Sequence, residues 1–323
     1  MVREDIRFPA EGGIELAAWL LLPDGEDTPV PAITMAHGYA GTRYHGIAPM
    51  AEALAAAGFA VLLHDHRGFG DSGGEPRQDV NPWQQIADWR RAISYLQERA
   101  EVDDDRVGIW GTSYSGGHAI VLGATDRRLK AVVAQVPTID GHASGLRRVP
   151  PSAVAELDAG FGDSDRAELR GEPPATQRIV REHPGDIAAY TGEDEVNFYL
   201  QPVPQGVWEN KVTVRSTWWS RMYTPGQFID RVSPTPLMMV VAKEDRTALT
   251  DLQLVAYERA LEPKTLVLLD GGHFDPYGHT FEAAASATVD WFSIHLGSTS
   301  TTRITPGNEQ ETNRRSRDLG TLK

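Results

Sequence analysis

The sequence predicts an α/β fold, in which a mostly parallel sheet is covered by helices on both faces and interrupted by an inserted segment. Three observations support this. Short apolar runs alternate with helical patterns over residues 1–137, the alternation stops over 138–235, and it returns over 236–296. Strands that are apolar without alternation and lie between helices are typical of a parallel sheet buried on both faces. The simplest organisation is one sheet domain, 1–137 with 236–296, carrying a cap over 138–235.

The elements of the first half follow from apolar runs and turn residues. Apolar runs that end in turn residues predict strands at 14–23, 31–38, 59–68, 105–111 and 129–137. A helical pattern over 46–58 ends at Gly58, and another starts near Gly116. The helix at 81–100 has Asn81 as its N-cap and Pro82 in its first position.

The second half begins with a polar stretch, rich in Pro and in aromatic clusters, in which no regular alternation can be recognised. Strands are then predicted at 236–245 and 264–273, with helices at 249–261 and 281–296. Residues 297–323 are polar and without periodicity, and we expect them to form a disordered tail.

Composition narrows the possible partners and location. A net charge of -14 argues against nucleic acid and anionic membranes as partners, since both require a basic surface. The chain has no cysteine, which excludes disulfides and thiolate chemistry, and it has neither a signal-like N-terminus nor a long apolar stretch. We therefore expect a cytoplasmic protein that acts on a small molecule. A homodimer is left open.

Residues 111–117, "GTSYSGG", contain the strongest candidate for a nucleophile. Ser113 falls between the predicted strand at 105–111 and the following helix, where a sharp turn would raise its hydroxyl above the sheet edge. The positions two residues away, Gly111 and Ser115, must be small in such a turn. Ser115 itself falls in the first helical turn, so we favour Ser113.

A serine nucleophile needs a base and an acid that positions the base. His273 follows the last predicted strand on a loop that begins with two glycines, and His279 is the alternative. Asp245 ends the preceding strand and is the favoured acid, with Asp140, after the strand at 129–137, as the second candidate.

The developing negative charge would need backbone donors. The N–H groups of Tyr39, on the loop after the second predicted strand, and of Tyr114, next to the nucleophile, can form an oxyanion hole. The hydroxyl of Tyr44 is a weaker third donor. We interpret His37 as a structural residue of the same loop.

The chain order Ser113, Asp245, His273 resembles that of the α/β-hydrolase fold, whose sheet is of the eight-stranded type. The segment "HDHRGFGDSGGEP" (64–76) resembles the family's loop after the fourth strand, with matches at Asp65, Arg67, Gly68, Gly70, Ser72 and Gly73. "GTSYSGGH" and "GGHFDPY" look most like the esterase and dienelactone-hydrolase subgroup. The resemblance implies a Ser-His-acid triad and no cofactor. Two departures are Ser115 in place of the usual glycine and "YAG" after His37-Gly38.

These residues together predict a serine hydrolase that cleaves a carboxylic ester, lactone or thioester through an acyl-serine. An acyltransferase or a carbon–carbon hydrolase would use the same residues, and a binding protein on the same scaffold is the alternative outside catalysis. No metal is expected, because the cationic Arg67 directly follows the one candidate cluster, 64–66. Within the cap, the candidate pocket residues are Trp218, Trp219 and Tyr223, although for each of them a place in the core of the cap is the simpler interpretation.

Overall fold

A twisted eight-stranded sheet lies at the centre of the computed structural model, which describes residues 1–25, 29–183 and 185–297. Of the predicted tail, only Gly297 falls within the described residues. The described residues form these strands: β1 Val2–Pro9, β2 Glu15–Leu22, β3 Val30–Ala36, β4 Ala60–His64, β5 Val102–Thr112, β6 Leu129–Gln135, β7 Thr176–Val180, β8 Ala188–Tyr190, β9 Val212–Thr213, β10 Leu237–Ala242 and β11 Lys264–Leu269.

Helices follow most of the sheet strands, as predicted. Within the described residues they are α1 Ala48–Ala56, α2 Pro82–Gln97, α3 Tyr114–Thr125, α4 Gly141–Arg148, α5 Val154–Leu169, α6 Glu193–Tyr199, α7 Val214–Met222, α8 Thr250–Arg259 and α9 Phe281–Leu296. The side chain of Asn81 accepts hydrogen bonds from the backbone N–H groups of Trp83 and Gln84 at 3.1 and 3.2 Å. This confirms the predicted N-cap of α2.

The strand order in the main sheet is β1-β2-β4-β3-β5-β6-β10-β11. The β4-β3-β5-β6-β10-β11 neighbours are parallel, whereas β2 pairs antiparallel with β1 and β4. The predicted fold class is therefore confirmed. Because parallel strands point the same way, the residues that follow β5, β10 and β11 meet at one edge of the sheet.

Strand β1 was not predicted from the sequence. Only Phe8 is buried in it, and four of its eight residues are charged, so it lacks the continuous apolar run of the central strands. It pairs with β2 at the edge of the sheet, where charged side chains discourage further pairing.

Two apolar clusters sandwich the sheet. One contains Trp89 of α2 and Ile120 of α3, and the other contains Trp110 of β5 and Phe292 of α9. Among the described residues, no helix combines the length and hydropathy required to cross a bilayer.

The stretch between β6 and β10, which we call the insertion (residues 138–235), is more regular than its sequence indicates. It carries α4 to α7 and a separate sheet in the order β8-β7-β9. These strands are two to five residues long, and most of their side chains are at least partly exposed. Such short, polar elements give no periodic signal in the sequence.

The loop after β4 is held by a buried ion pair. Asp65 is fully buried, and it accepts hydrogen bonds from the Arg43 backbone N–H at 2.7 Å and from the Arg43 guanidinium. Burial raises the pKa of Asp65 to about 6, against the opposing charge of Arg43. The loop that resembles the hydrolase family is thus fastened to the loop after β3.

Replacing Arg43 with Met should leave the Asp65 carboxylate buried without its cation. We expect the free energy of unfolding to fall by about 3–5 kcal/mol at pH 8. The loss should be smaller at pH 5, because the raised pKa lets Asp65 take up a proton in the folded protein before it does in the unfolded chain. Urea unfolding at both pH values measures this.

Arg91→Met is the matched control, because Arg91 forms an ion pair with Glu11 in which both side chains are about half exposed. It should cost less than about 1 kcal/mol. Equal losses in the two variants would contradict the structural role given to Asp65.

Candidate active site

Ser113 occupies the turn between β5 and α3, as the sequence predicts. Its backbone has φ 56° and ψ -117°, in the left-handed half of conformational space that non-glycine residues rarely adopt. Its N–H donates to the Gln135 carbonyl at 2.8 Å, and its carbonyl accepts from the N–H of Thr138 at 2.9 Å. Hydrogen bonds to the next strand and its loop therefore hold the strained residue.

The small neighbours of Ser113 are required by close backbone contacts. A Cβ atom on Gly111 would lie 2.0 Å from the Ser115 carbonyl oxygen, and one on Gly116 would lie 2.9 Å from the Pro137 Cα. Neither contact is possible between real atoms. The chain can make this turn only with glycine at both positions.

The structure brings Ser113, His273 and Asp245 together in a hydrogen-bonded series. The Ser113 Oγ lies 2.9 Å from His273 Nε2, and His273 Nδ1 lies 2.8 Å from Asp245 Oδ2. A carboxylate can only accept, so Nδ1 carries the ring proton and Nε2 is left to accept from the serine. This tautomer is the one a general base requires.

Asp245 is fixed by three further donors. Its Oδ1 accepts from the backbone N–H groups of Thr247 and Ala248, both at 2.8 Å, and its Oδ2 accepts from Gln253 Nε2 at 2.8 Å. Burial by itself would raise the pKa of Asp245, but interaction with His273 and these donors outweighs burial and lowers it below its ordinary value. The carboxylate is therefore ionised at neutral pH and its orientation is set.

The alternative acid and base lie elsewhere. The Asp140 carboxylate accepts from the Ala143 backbone N–H at 2.9 Å and caps the N-terminus of α4. His279 lies on the exposed turn before α9.

The loop carrying Tyr39 passes directly beside Ser113. A Cβ atom on Gly38 would lie 3.0 Å from the Ser113 Cβ, tighter than most real contacts, so glycine favours this approach. Tyr114 begins α3, and its N–H is one of the four at a helix start that have no acceptor within the helix. Both predicted oxyanion donors thus border Ser113.

Tyr44 does not join this site, which corrects the expectation for its hydroxyl. The Tyr44 hydroxyl donates to Asp71 at 3.3 Å, and its ring packs edge-on against Trp19 at 5.0 Å. Tyr44 instead packs beside the buried ion pair of Asp65 and Arg43. The Arg43 guanidinium forms an ion pair with Asp71 and lies over the Tyr44 ring.

His37 and Ser115 connect the loops beneath the site. His37 Nε2 accepts from the His66 N–H at 3.1 Å and its Nδ1 donates to the Gly38 carbonyl at 2.8 Å, while burial lowers the pKa of His37 to about 3. The Ser115 hydroxyl bonds both the His37 carbonyl and His66 Nε2. Ser115, the departure from the usual glycine, therefore ties the elbow to two loops.

Aromatic residues of the insertion, which the sequence analysis does not identify, make hydrogen bonds to the loop after β3 that carries Tyr39. The Tyr199 hydroxyl donates to the Tyr39 carbonyl at 2.6 Å, and Trp208 Nε1 donates to the Ala40 carbonyl at 2.8 Å. Phe198 lies with these residues against Phe274, with ring centroids 4.5 Å apart. The sequence signal was an excess of aromatic residues in an otherwise polar stretch.

A cavity of about 560 Å³ opens between the insertion and the sheet edge. Tyr39 and Tyr114 form its floor, while α4 and α7 contribute walls through positions spaced three or four apart: Gly141, Ser144, Gly145, Arg148, Val214, Thr217, Ser220 and Arg221. This spacing places one face of each helix toward the cavity.

The pocket residues predicted from the sequence are not among those that line this cavity. Trp218 and Trp219 lie on another face of α7, where their rings contact each other at 4.9 Å. Tyr223 is fully buried behind Tyr114, and its hydroxyl lies 2.8 Å from His118 Nδ1. The sequence could not show which face of α7 would meet the cavity.

The one carboxylate of the candidate metal cluster, Asp65, is paired with Arg43. Across the described residues, no three His, Asp or Glu side chains are arranged to hold a metal ion.

Curated relatives include a protein named for quorum quenching and one named a thiohydrolase. The chain is 32% identical over 291 residues to the quorum-quenching protein AidA of Acinetobacter baumannii, covering 89% of this chain and 93% of that protein. It is 25% identical over 279 residues to a thiohydrolase of Eupenicillium brefeldianum, covering 84% of this chain and 88% of that protein.

The fold is shared with solved structures. The crystal structure of the α/β hydrolase GrgF from Penicillium sp. sh18 superposes with a TM-score of 0.80 at 26% identity, covering 92% of this chain and 99% of that chain. The X-Pro dipeptidyl-peptidase (S15) family matches residues 12–275, a span that includes the elbow serine and His273. The chain therefore belongs to the S15 family of the α/β hydrolases.

Proposed function

We propose that this hydrolase cleaves a carboxylic ester or thioester of a small molecule through an acyl intermediate on Ser113. The observation that carries the proposal is the series Ser113–His273–Asp245, with distances of 2.9 and 2.8 Å, beside two backbone N–H groups at a strained turn. This is the arrangement that converts a weakly nucleophilic hydroxyl into a reactive one.

The reaction follows from the geometry. His273 Nε2 takes the Ser113 proton as Oγ attacks the carbonyl carbon, and the N–H groups of Tyr39 and Tyr114 stabilise the oxyanion. His273 then protonates the leaving oxygen or sulfur as the bond to the carbonyl carbon breaks. Water, activated by the same imidazole, attacks the acyl-serine, and the acid and the serine hydroxyl are released.

Two spaces of different size meet at Tyr39, and Ser113 lines the smaller one. His273 lines a narrow space with Phe198 and Phe274, and the leaving group must lie there to receive its proton. The large cavity lies on the Tyr39 and Tyr114 side and suits the acyl group. A dipeptidyl-peptidase substrate would bring an N-terminal ammonium into this cavity, where the two arginines Arg148 and Arg221 outnumber the single acidic residue, Glu156.

An acyltransferase is the second candidate, because the chain is also similar, at 28% identity over 295 residues, to a protein named polyketide transferase from Penicillium sp. The intermediate would be the same, and only the nucleophile that attacks the acyl-serine would differ.

Ser113→Ala should lower the turnover rate of aryl esters by at least about 10³-fold, by analogy with other serine triads. It should also abolish covalent labelling by a fluorophosphonate, which adds to the wild-type protein as a mass increase on one serine. Ser286→Ala, on the exposed side of α9, is the control and should label and turn over normally. Normal labelling of Ser113→Ala would rule out the nucleophile.

Asp245→Asn should lower kcat by about 10³–10⁴-fold, because the amide cannot hold the Nδ1–H tautomer of His273. Asp140→Asn should leave kcat within about twofold, since asparagine caps a helix as well as aspartate does. Steady-state kinetics on one aryl ester compare the two variants. Retained activity in Asp245→Asn would show that Asp245 is not the acid that orients His273.

Addition of a primary alcohol distinguishes hydrolysis from transfer. For a hydrolase, the free acid should remain the main product at moderate alcohol concentration. For a transferase, the new ester should make up a larger fraction of the product than the mole fraction of alcohol in the solvent. Product ratios by liquid chromatography with Ser113→Ala as blank give the answer. A dominant transfer product would assign the acyltransferase function.

A further inference from the structure

The large cavity is locally basic, although the chain as a whole is strongly acidic. Its charged lining residues are Arg148, Arg221 and Glu156, so positive charge exceeds negative by one, whereas the chain carries -14. Cationic walls of this kind select anionic ligands by charge.

Arg221 has an incompletely satisfied guanidinium. It lies in the last turn of α7 and packs against α4 where Gly145 leaves room, with its Cγ 3.3 Å from the position that a Cβ on Gly145 would take. Its Nη1 is buried and has no hydrogen-bond partner among the described residues. Arg221 is only partly buried and also lines the cavity, so its charge remains available to a ligand there.

Arg148 lies one helical turn beyond Gly145 on the same face of α4, so both arginines belong to one wall. Its guanidinium donates to the Thr247 carbonyl and lies 4.8 Å from the centre of the Tyr190 ring. Both partners are uncharged, and a guanidinium has five donors, so donors and full charge are left for a ligand.

We propose that this arginine pair binds a carboxylate at the far end of the acyl group, so that the preferred substrates are half-esters or half-thioesters of dicarboxylic acids. This rests on the proposed function for the position of the acyl carbonyl at Tyr39 and Tyr114. The cavity floor and the arginine wall then hold the two ends of one acyl chain, and the space between them accommodates its methylene groups.

The first test compares substrates on the wild-type protein. Methyl half-esters of dicarboxylic acids are paired with methyl esters of monocarboxylic acids of the same chain length. At low ionic strength, kcat/KM for the best half-ester should exceed that of its neutral partner by at least about tenfold, the ratio expected for one charge-assisted contact worth about 1.4 kcal/mol. Equal or lower values for every half-ester would overturn the proposal.

The second test measures the same ratio in variants. Arg221→Gln should reduce the preference for the half-ester by about tenfold, and Arg221→Lys should reduce it less, because lysine keeps the charge but loses the planar fork. Arg170→Gln, which removes one positive charge from an exposed ion pair with Glu172, is the control and should keep the preference. An unchanged ratio in Arg221→Gln would contradict the proposal.

A binding measurement separates this proposal from the proposed reaction. Calorimetric titration of a dicarboxylate into the wild-type protein and into Arg221→Gln requires no turnover. Tighter binding to the wild type with no ester hydrolysis would support the carboxylate site while rejecting the reaction. Hydrolysis of neutral esters without dicarboxylate binding would support the reaction and reject the site.

Discussion

The backbone of Ser113, held at φ 56° between β5 and α3, is the constraint on which the rest of the site depends. Such a turn is strained, and it persists only because the surroundings leave no alternative. The approach of Gly38 from one side and the contact between Gly111 and Ser115 from the other fill the space around it. The sheet then acts as a rigid frame in which a single hydroxyl has one accessible position.

The remaining groups reach that hydroxyl from distant parts of the chain. Asp245 and His273 follow the two strands β10 and β11, which pair in parallel and therefore end at neighbouring points of the sheet edge. Most of the geometry is thus a consequence of strand order. Backbone donors from Thr247 and Ala248 add the final orientation of the acid.

How much the sequence could predict depended on where the determining interactions lie. Buried parallel strands are continuous apolar runs, so the sheet and the order of Ser113, Asp245 and His273 could be read directly. Strand β1 is an edge strand in which four of eight residues are charged, and it has no such apolar run. Trp218 and Trp219 were assigned to the pocket by residue type alone, whereas the face that α7 presents is decided by its packing against α4. For the same reason, the sequence does not show that Arg221 faces the cavity.

Tyr199 and Trp208 give the insertion a second task besides enclosing a cavity. Each donates to a main-chain carbonyl of the loop that bears the Tyr39 N–H, so the insertion holds that loop in place beside Ser113. The segment therefore carries two kinds of position. Side chains that face the cavity can change without disturbing this loop, whereas Tyr199 and Trp208 can be replaced only by residues with a side-chain donor if the loop is to keep its shape.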